Sequence, residues 1–282
     1  MTVPGTSEGP RWWVMGDVHG QRARLAALLL QAGLIDRREA WSGGDAVLVV
    51  IGDLTDRGPD GAGVVNLVRR LEAEAALAGG QIITLLGNHE VLLLAAARHG
   101  RGWKDVQGRS FASRWRQAGG READLEALSP DDLAWLAALP GLTRLGPYLF
   151  VHADSRFYLR YGHTGQLIND ALRTTMQESD PAMLDRLAGW FSERREFEGD
   201  SGERAARDFL KTLGGSRIIH GHTPIPYVLS KPPGDVSSPL LYASGLALNV
   251  DGGLAYGPQA GFLVRLGPQG VERVVSGARV GR

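Results

Sequence analysis

Ala46-Val47-Leu48-Val49-Val50-Ile51 runs directly into Gly52-Asp53-Leu54-Thr55-Asp56-Arg57-Gly58. A short, continuous apolar run predicts a strand covered on both faces, and the glycine-flanked polar segment predicts a sharp turn at its carboxyl end. The same join recurs along the chain. Residues 12–16 (Trp-Trp-Val-Met-Gly) lead into Asp17-Val18-His19-Gly20, and Gln81–Leu86 leads into Gly87-Asn88-His89-Glu90. Leu149-Phe150-Val151 ends in His152-Ala153-Asp154, and Arg217-Ile218-Ile219 ends in His220-Gly221-His222-Thr223-Pro224. Five of the seven histidines occupy these strand ends; only His99 and His163 lie elsewhere. In open α/β sheets ligands bind beyond the carboxyl ends of the strands, so the five clusters are expected to share one site.

The pattern between the joins supports an α/β chain. Helix-period stretches at about 20–33 and 60–78 separate the first three strands, which predicts crossover units and a mostly parallel central sheet. Helices are expected near 107–118, 122–128 and 130–138, the last capped by Ser129 with Pro130 in its first turn. A strand at Tyr148–Val151 precedes helices around 166–178, 180–191 and 203–213. Strand patterns return at 216–219, 240–250, 261–266 and 271–275. Residues 101–140 are polar and rich in Arg, Ala and Trp, and read as a helical insertion over the sheet. Residues 225–240, with Pro226, Pro232, Pro233 and Pro239, read as a loop beside the site. At about 150 residues per domain the 282 residues allow two domains, but no linker or repeat divides them. One domain over 1–282 is expected.

Composition removes several classes. The 31 basic residues balance 31 acidic ones, which argues against a dedicated nucleic-acid or membrane-surface binder. The only lysines are Lys104, Lys211 and Lys231, and none sits in a phosphate-loop pattern. The absence of cysteine excludes disulfides, thiolate metal sites, iron–sulfur clusters and a cysteine nucleophile. No apolar run reaches the eighteen or so residues that span a bilayer, the longest being Val91 to Ala97. The N-terminal stretch lacks a basic region followed by an apolar one, so a cytoplasmic protein without a signal peptide is the expectation.

Asp, Asn and His side chains without sulfur suit divalent Mn, Fe, Zn, Co or Mg. Asp17 and His19 are two residues apart and can point to one side of an extended segment. Asp53 offers two carboxylate oxygens, enough to bridge two ions about 3.5–4 Å apart. Asn88 and His89 are adjacent, so one can face metal while the other faces substrate. Each feature alone has an ordinary explanation: Asp-Gly pairs make turns, Asn88 caps a helix, and a lone buried histidine is usually a hydrogen-bonded core residue. His99 and His163 are read in that way. Five strand ends carrying such residues together are not.

With these motifs in hand, the chain resembles the calcineurin-like metallophosphoesterases. Within them it resembles the phosphoprotein phosphatase branch, which includes Ser/Thr protein phosphatases, Shewanella-like phosphatases and diadenosine tetraphosphatases. The resemblance rests on GDVHG (16–20), GDLTDRG (52–58), GNHE (87–90), VHAD (151–154) and GHTP (221–224), in the family's order. It implies a four-layer α/β/β/α sandwich and two divalent metal ions, manganese foremost. It assigns Asp17 and His19 to the first metal, Asp53 to the bridge, and Asn88, His152 and His222 to the second. His89 would be the general acid, oriented by Asp56, and Arg57 would clamp phosphate oxygens, with Asn88 also on the substrate side. A metal-bridging hydroxide would attack phosphorus in line.

Three positions depart from the pattern. Asp154 stands where HGG or HAGL is common, and either alters phosphate access or points away, the second being favoured. Pro224 replaces a further ligand histidine seen elsewhere in the superfamily, so His220 reads as a partner of the ligands. The family's second phosphate-binding arginine is matched to Arg195, with Arg194 beside it, although an exposed helix end with paired charges explains both. Asp251 in Leu248-Asn249-Val250-Asp251-Gly252-Gly253 either supports a metal-ligand histidine or makes a hairpin turn.

The expected function is hydrolysis of phosphomonoesters, with phosphoserine or phosphothreonine protein as the leading substrate class. Hydrolysis of a small nucleotide of the diadenosine tetraphosphate kind is the alternative. A catalytically silent metal-binding scaffold is the alternative of another class. The expected partners are a phosphorylated protein or a small phosphate ester, with neither membrane nor nucleic acid.

Overall fold

The computed structural model describes residues 11–178 and 180–277. In chain order the elements are β1 (Trp12–Met15), α1 (Arg22–Ala32), β2 (Val47–Val50), α2 (Gly61–Leu77), β3 (Gln81–Thr84) and α3 (Asn88–His99). Then come α4 (Phe111–Gln117), α5 (Glu122–Ala127), α6 (Pro130–Ala137), β4 (Leu142–Leu145), β5 (Tyr148–Val151), α7 (Gly165–Gln177), α8 (Pro181–Phe191) and α9 (Gly202–Leu213). The chain continues through β6 (Arg217–His220), α10 (Ile225–Val228), β7 (Leu240–Tyr242), β8 (Ala247–Asn249), β9 (Phe262–Gly267) and β10 (Gly270–Ser276).

The strands form two mixed sheets, the first antiparallel at one edge only and the second at both. The first has the order β10-β9-β1-β2-β3, with β1, β2 and β3 parallel and β9 antiparallel to β1. The second has the order β4-β5-β6-β8-β7, with β5, β6 and β8 parallel. The mostly parallel central sheet expected from the crossover spacing is therefore corrected to two mixed sheets. The crossovers fix only the parallel centres; the added edge strands come from β4 and from the C-terminal segments.

Alternation along the strands shows how the sheets are covered. Val14, Val49, Phe150, Ile219, Leu248 and Val264 meet in one core cluster between the sheets. Their neighbours Trp13, Met15, Leu48, Val50, Leu149, Val151 and Ile218 belong to the other cluster, shared with the helices. The central strands β1, β2 and β5 read as unbroken apolar runs because both of their faces are buried. The four-layer α/β/β/α arrangement follows.

The insertion is helical, as expected, but it rests on helices rather than over the sheet: α4 and α6 pack on α3, and α5 on α2. α4 begins at Phe111 instead of 107 because the Asp105 carboxylate accepts from the amides of Gln107 and Arg109, and Ser110 then caps the helix. Ser129 caps α6, with Asp132 bonding back to the Ser129 amide. Residues 225–240 are not all loop, since α10 and a short 3₁₀ turn lie within them.

Candidate metal centre

All five strand-end turns open on one side of the paired sheets, and their polar residues converge. The turns are strained. Of the ten non-glycine residues with positive φ among the described residues, five are His19, Asp53, Asp56, Arg57 and His222. Such backbone persists where the surroundings over-determine it, commonly at functional sites. Two motif glycines have a direct steric cause. A Cβ on Gly87 would lie 2.2 Å from Asp53 Oδ1, and one on Gly221 would lie 2.5 Å from Asp17 Oδ1. Each glycine thus lets a carboxylate from another turn approach closely.

Asp53 is the centre of the arrangement. Two groups could each hold a metal ion, one formed by His19, Asp53 and His89 and the other by Asp53, His152 and His222. The two Asp53 oxygens divide between them. Oδ2 lies 3.7 Å from His19 Nε2 and 3.9 Å from His89 Nε2, whereas Oδ1 lies 3.5 Å from His152 Nε2. Asp17 Oδ2 is 3.7 Å from His19 Nε2, and Asp17 Oδ1 accepts from the His222 amide at 3.0 Å. Asn88 reaches His152, with its Oδ1 3.1 Å from Nε2. Asn88 and His89, adjacent in sequence, do point to different partners.

The donor set fits cations. His152 donates its Nδ1–H to the Ile51 carbonyl at 2.9 Å, so the Nε2 lone pair faces the Asn88 and Asp53 oxygens with no hydrogen between them. His222 Nε2 is buried with no hydrogen-bond partner among the described residues. Acceptors so arranged suit an electropositive guest. Burial, with neighbouring positive groups, pushes His19 and His222 well below the ordinary histidine range, keeping them in the unprotonated form that ligates metal. Burial, then the charges of Asp251 and Asp53, pushes Asp17 well up. For Asp53 burial acts upward too, but His152 and His89 hold its carboxyl below the usual range. Crowded carboxylates among neutral imidazoles are relieved by positive charge.

His89 lies beside this group. Its Nδ1 donates to Asp56 Oδ2 at 2.7 Å, and its Nε2 accepts from Arg57 Nη2 at 2.9 Å. Burial dominates both partners, pushing His89 down to about 4 and Asp56 up to about 8. Arg57 spans the mouth: Nη1 also donates to His19 Nε2 at 2.6 Å and to the Tyr256 hydroxyl at 2.5 Å.

The doubtful positions resolve individually. Asp154 points away from the histidines; its oxygens accept from the Arg195 amide and the Thr223 hydroxyl, each at 2.8 Å. His220 stands outside both groups, with Nε2 2.7 Å from the Tyr242 hydroxyl. Asp251 Oδ1 accepts from the Gly253 amide at 2.9 Å, the turn role, while its buried Oδ2 has no partner. Arg195, the arginine matched to phosphate binding, is instead bound through its guanidinium to Glu198 at 2.6 Å. Arg194 is the one whose charge acts on His222, His152, His89 and Asp251, and it borders a groove of about 320 Å³ with Tyr227, Lys231 and Tyr256.

Residues without an assigned role in the sequence also build the site. Glu90 accepts from the amides of Asp53 (2.9 Å), Leu54 (2.8 Å) and Gly87 (3.0 Å), locking two motif turns together. Its place in the first turn of α3 was a usable signal. Buried Arg24 bonds the carbonyls of Leu254, Gly257 and Ala260, which fixes the segment carrying Tyr256. No local pattern marks that contact.

Comparison with known proteins agrees with the geometry. The family model for calcineurin-like phosphoesterases matches residues 10–226, and the chain belongs to that family. It is 38% identical to "Shewanella-like protein phosphatase 2" of Arabidopsis thaliana over 28% of this chain and 20% of that protein. It is 31% identical to the symmetrical bis(5'-nucleosyl)-tetraphosphatase of Methylococcus capsulatus over 50% of this chain and 42% of that one. The matches thus span less than half the length of these relatives. In fold it is similar to a cold-active protein-tyrosine phosphatase of a psychrophilic Shewanella, with a TM-score of 0.70 and 20% identity over 96% of this chain and 81% of that one.

Proposed function

We propose that the chain, as one domain, is a dinuclear-metal phosphomonoesterase acting on phosphoserine and phosphothreonine in proteins. The observation that carries this reading is Asp53, one carboxylate facing two separate groups of histidines through different oxygens. Asp17 and His19 would hold one ion and Asn88, His152 and His222 the other, with Asp53 between. The family of the chain implies such ions, and manganese suits the mixed oxygen and imidazole donors. Bound there, they supply the Lewis acidity that makes a hydroxide nucleophile available near neutral pH and offsets phosphoryl charge.

The protein groups do the rest. Ligation through His19 Nε2 requires Arg57 to release that nitrogen, which frees Nη1 on that side for a phosphate oxygen; bidentate contact also needs Nη2 to leave His89. His89 is held by Asp56 through Nδ1, so Nε2 is its proton-carrying face, turned toward the Arg57 side where the leaving oxygen would sit. A phosphate arriving there raises the proton affinity of the ring. His89, having taken a proton from solvent at Nε2 once Arg57 turns to the phosphate, would pass that proton to the departing alkoxide.

The manganese-loaded protein should release phosphate from phosphoserine and phosphothreonine peptides, and a chelator should abolish the release. Phosphopeptides left untouched would sink the proposal. Diadenosine tetraphosphate cleaved in their place would favour the nucleotide hydrolase, and phosphotyrosine peptides alone would move the substrate class to aryl esters.

A further inference from the structure

We propose that segment 111–124 of the helical insertion is a positioning element of the reaction, with Trp115 fixing Asp56 and through it His89. The inference rests on the phosphomonoesterase reading above. Trp115 Nε1 donates to Asp56 Oδ1 at 2.8 Å, while Asp56 Oδ2 takes the His89 Nδ1–H at 2.7 Å. The carboxyl is wholly buried, and each of its oxygens has one donor. Trp115 therefore sets the rotation of the carboxyl, and the carboxyl sets the plane of the imidazole.

The same segment meets the rest of the strained turn. The Gly119 carbonyl accepts from the Arg57 amide at 2.8 Å, and the Ala118 carbonyl from Arg57 Nε at 3.4 Å. Asp124 Oδ1 accepts from the amides of Gly61 (2.9 Å) and Ala62 (3.3 Å) at the start of α2. Asp56 and Arg57 stand at φ +69° and +62°, a backbone that non-glycine residues hold only when the surroundings impose it. The insertion imposes it from one side. Gly120 makes room for the indole, since a Cβ there would lie 2.3 Å from the ring.

Trp115→Phe keeps an aromatic ring in place and removes the N–H donor together with part of the indole's volume, a loss that the matching Trp135→Phe change shares. Trp135→Phe is the control: this tryptophan lies in the same insertion and also donates to a carboxylate, Glu72 at 3.1 Å, away from the strand-end turns. Steady-state kinetics of the manganese-loaded proteins should compare a phosphoserine peptide with p-nitrophenyl phosphate, whose leaving group needs little protonation. For Trp115→Phe, kcat on the peptide should fall roughly 10–100-fold, the scale of one buried hydrogen bond to a charged group, with a much smaller fall on the aryl ester and KM held. Trp135→Phe should leave the ratio of the two substrates as in wild type. In the metal-free protein, the indole NMR peak lost in Trp115→Phe should be the one most displaced by Asp56→Asn. Equal losses on both substrates, no loss on either, or an indole peak indifferent to Asp56 would overturn the positioning role. A wild type inert on both substrates would instead overturn the phosphomonoesterase reading.

Discussion

Asp53→Asn should abolish nearly all metal-dependent phosphate release while leaving the fold intact. The substitution preserves shape but exchanges one carboxylate oxygen for an NH₂ group and removes the charge. Whichever oxygen is replaced, one histidine group then faces a donor where it had an anionic ligand atom. A metal-held charge contributes several kcal/mol to a phosphoryl transition state, so kcat is expected to fall by about 10³-fold or more. The Asp53 carbonyl still takes the Val18 and His19 amides, and Glu90 still takes the Asp53 and Leu54 amides, so the turns should survive. Steady-state kinetics beside circular dichroism would check both halves. Activity within about tenfold of wild type would remove Asp53 from the centre.

His89→Asn should produce a loss that depends on the leaving group. The substitution removes the proton carrier and leaves the Asp53, His152 and His222 group whole. For an alkyl ester such as a phosphoserine peptide, kcat should fall roughly 10²–10⁴-fold, the contribution of a positioned general acid. For an aryl ester whose departing oxygen is already stable, the loss should be far smaller. Bound manganese, measured on the same sample, should remain at the wild-type level. This discriminates between two geometrically open roles, because His89 Nε2 also stands within reach of a metal held by His19 and Asp53. Equal losses on both esters, together with loss of an ion, would make His89 a ligand.

The proposed ligand set was legible in the sequence for a physical reason. Asp17, His19, Asp53, Asn88, His152 and His222 all sit where an apolar strand stops, and the topology of the sheets gathers those ends. Glycines before them marked the close approaches that the structure shows at Gly87 and Gly221. The double-faced burial of the central strands was legible from their unbroken apolar runs, whereas the division into two sheets came from the family resemblance and not from any local pattern. It depends on pairing between β1 and β9, whose residues lie about 250 positions apart.

Side-chain direction was the other blind spot. Arg194 and Arg195 are neighbours, and only the structure shows that the Arg195 guanidinium lies against Glu198. Trp115 carried no signal, since its partner Asp56 lies 59 residues away and a tryptophan in a helix reads as core. Tyr256 meets Arg57 only because Arg24 holds its segment in place.

The bridging role proposed for Asp53 is read most simply from metal stoichiometry. After dialysis against manganese, elemental analysis should find about two ions per wild-type chain and no more than about one in Asp53→Asn. A single ion in the wild type, or two held equally well by the variant, would contradict it.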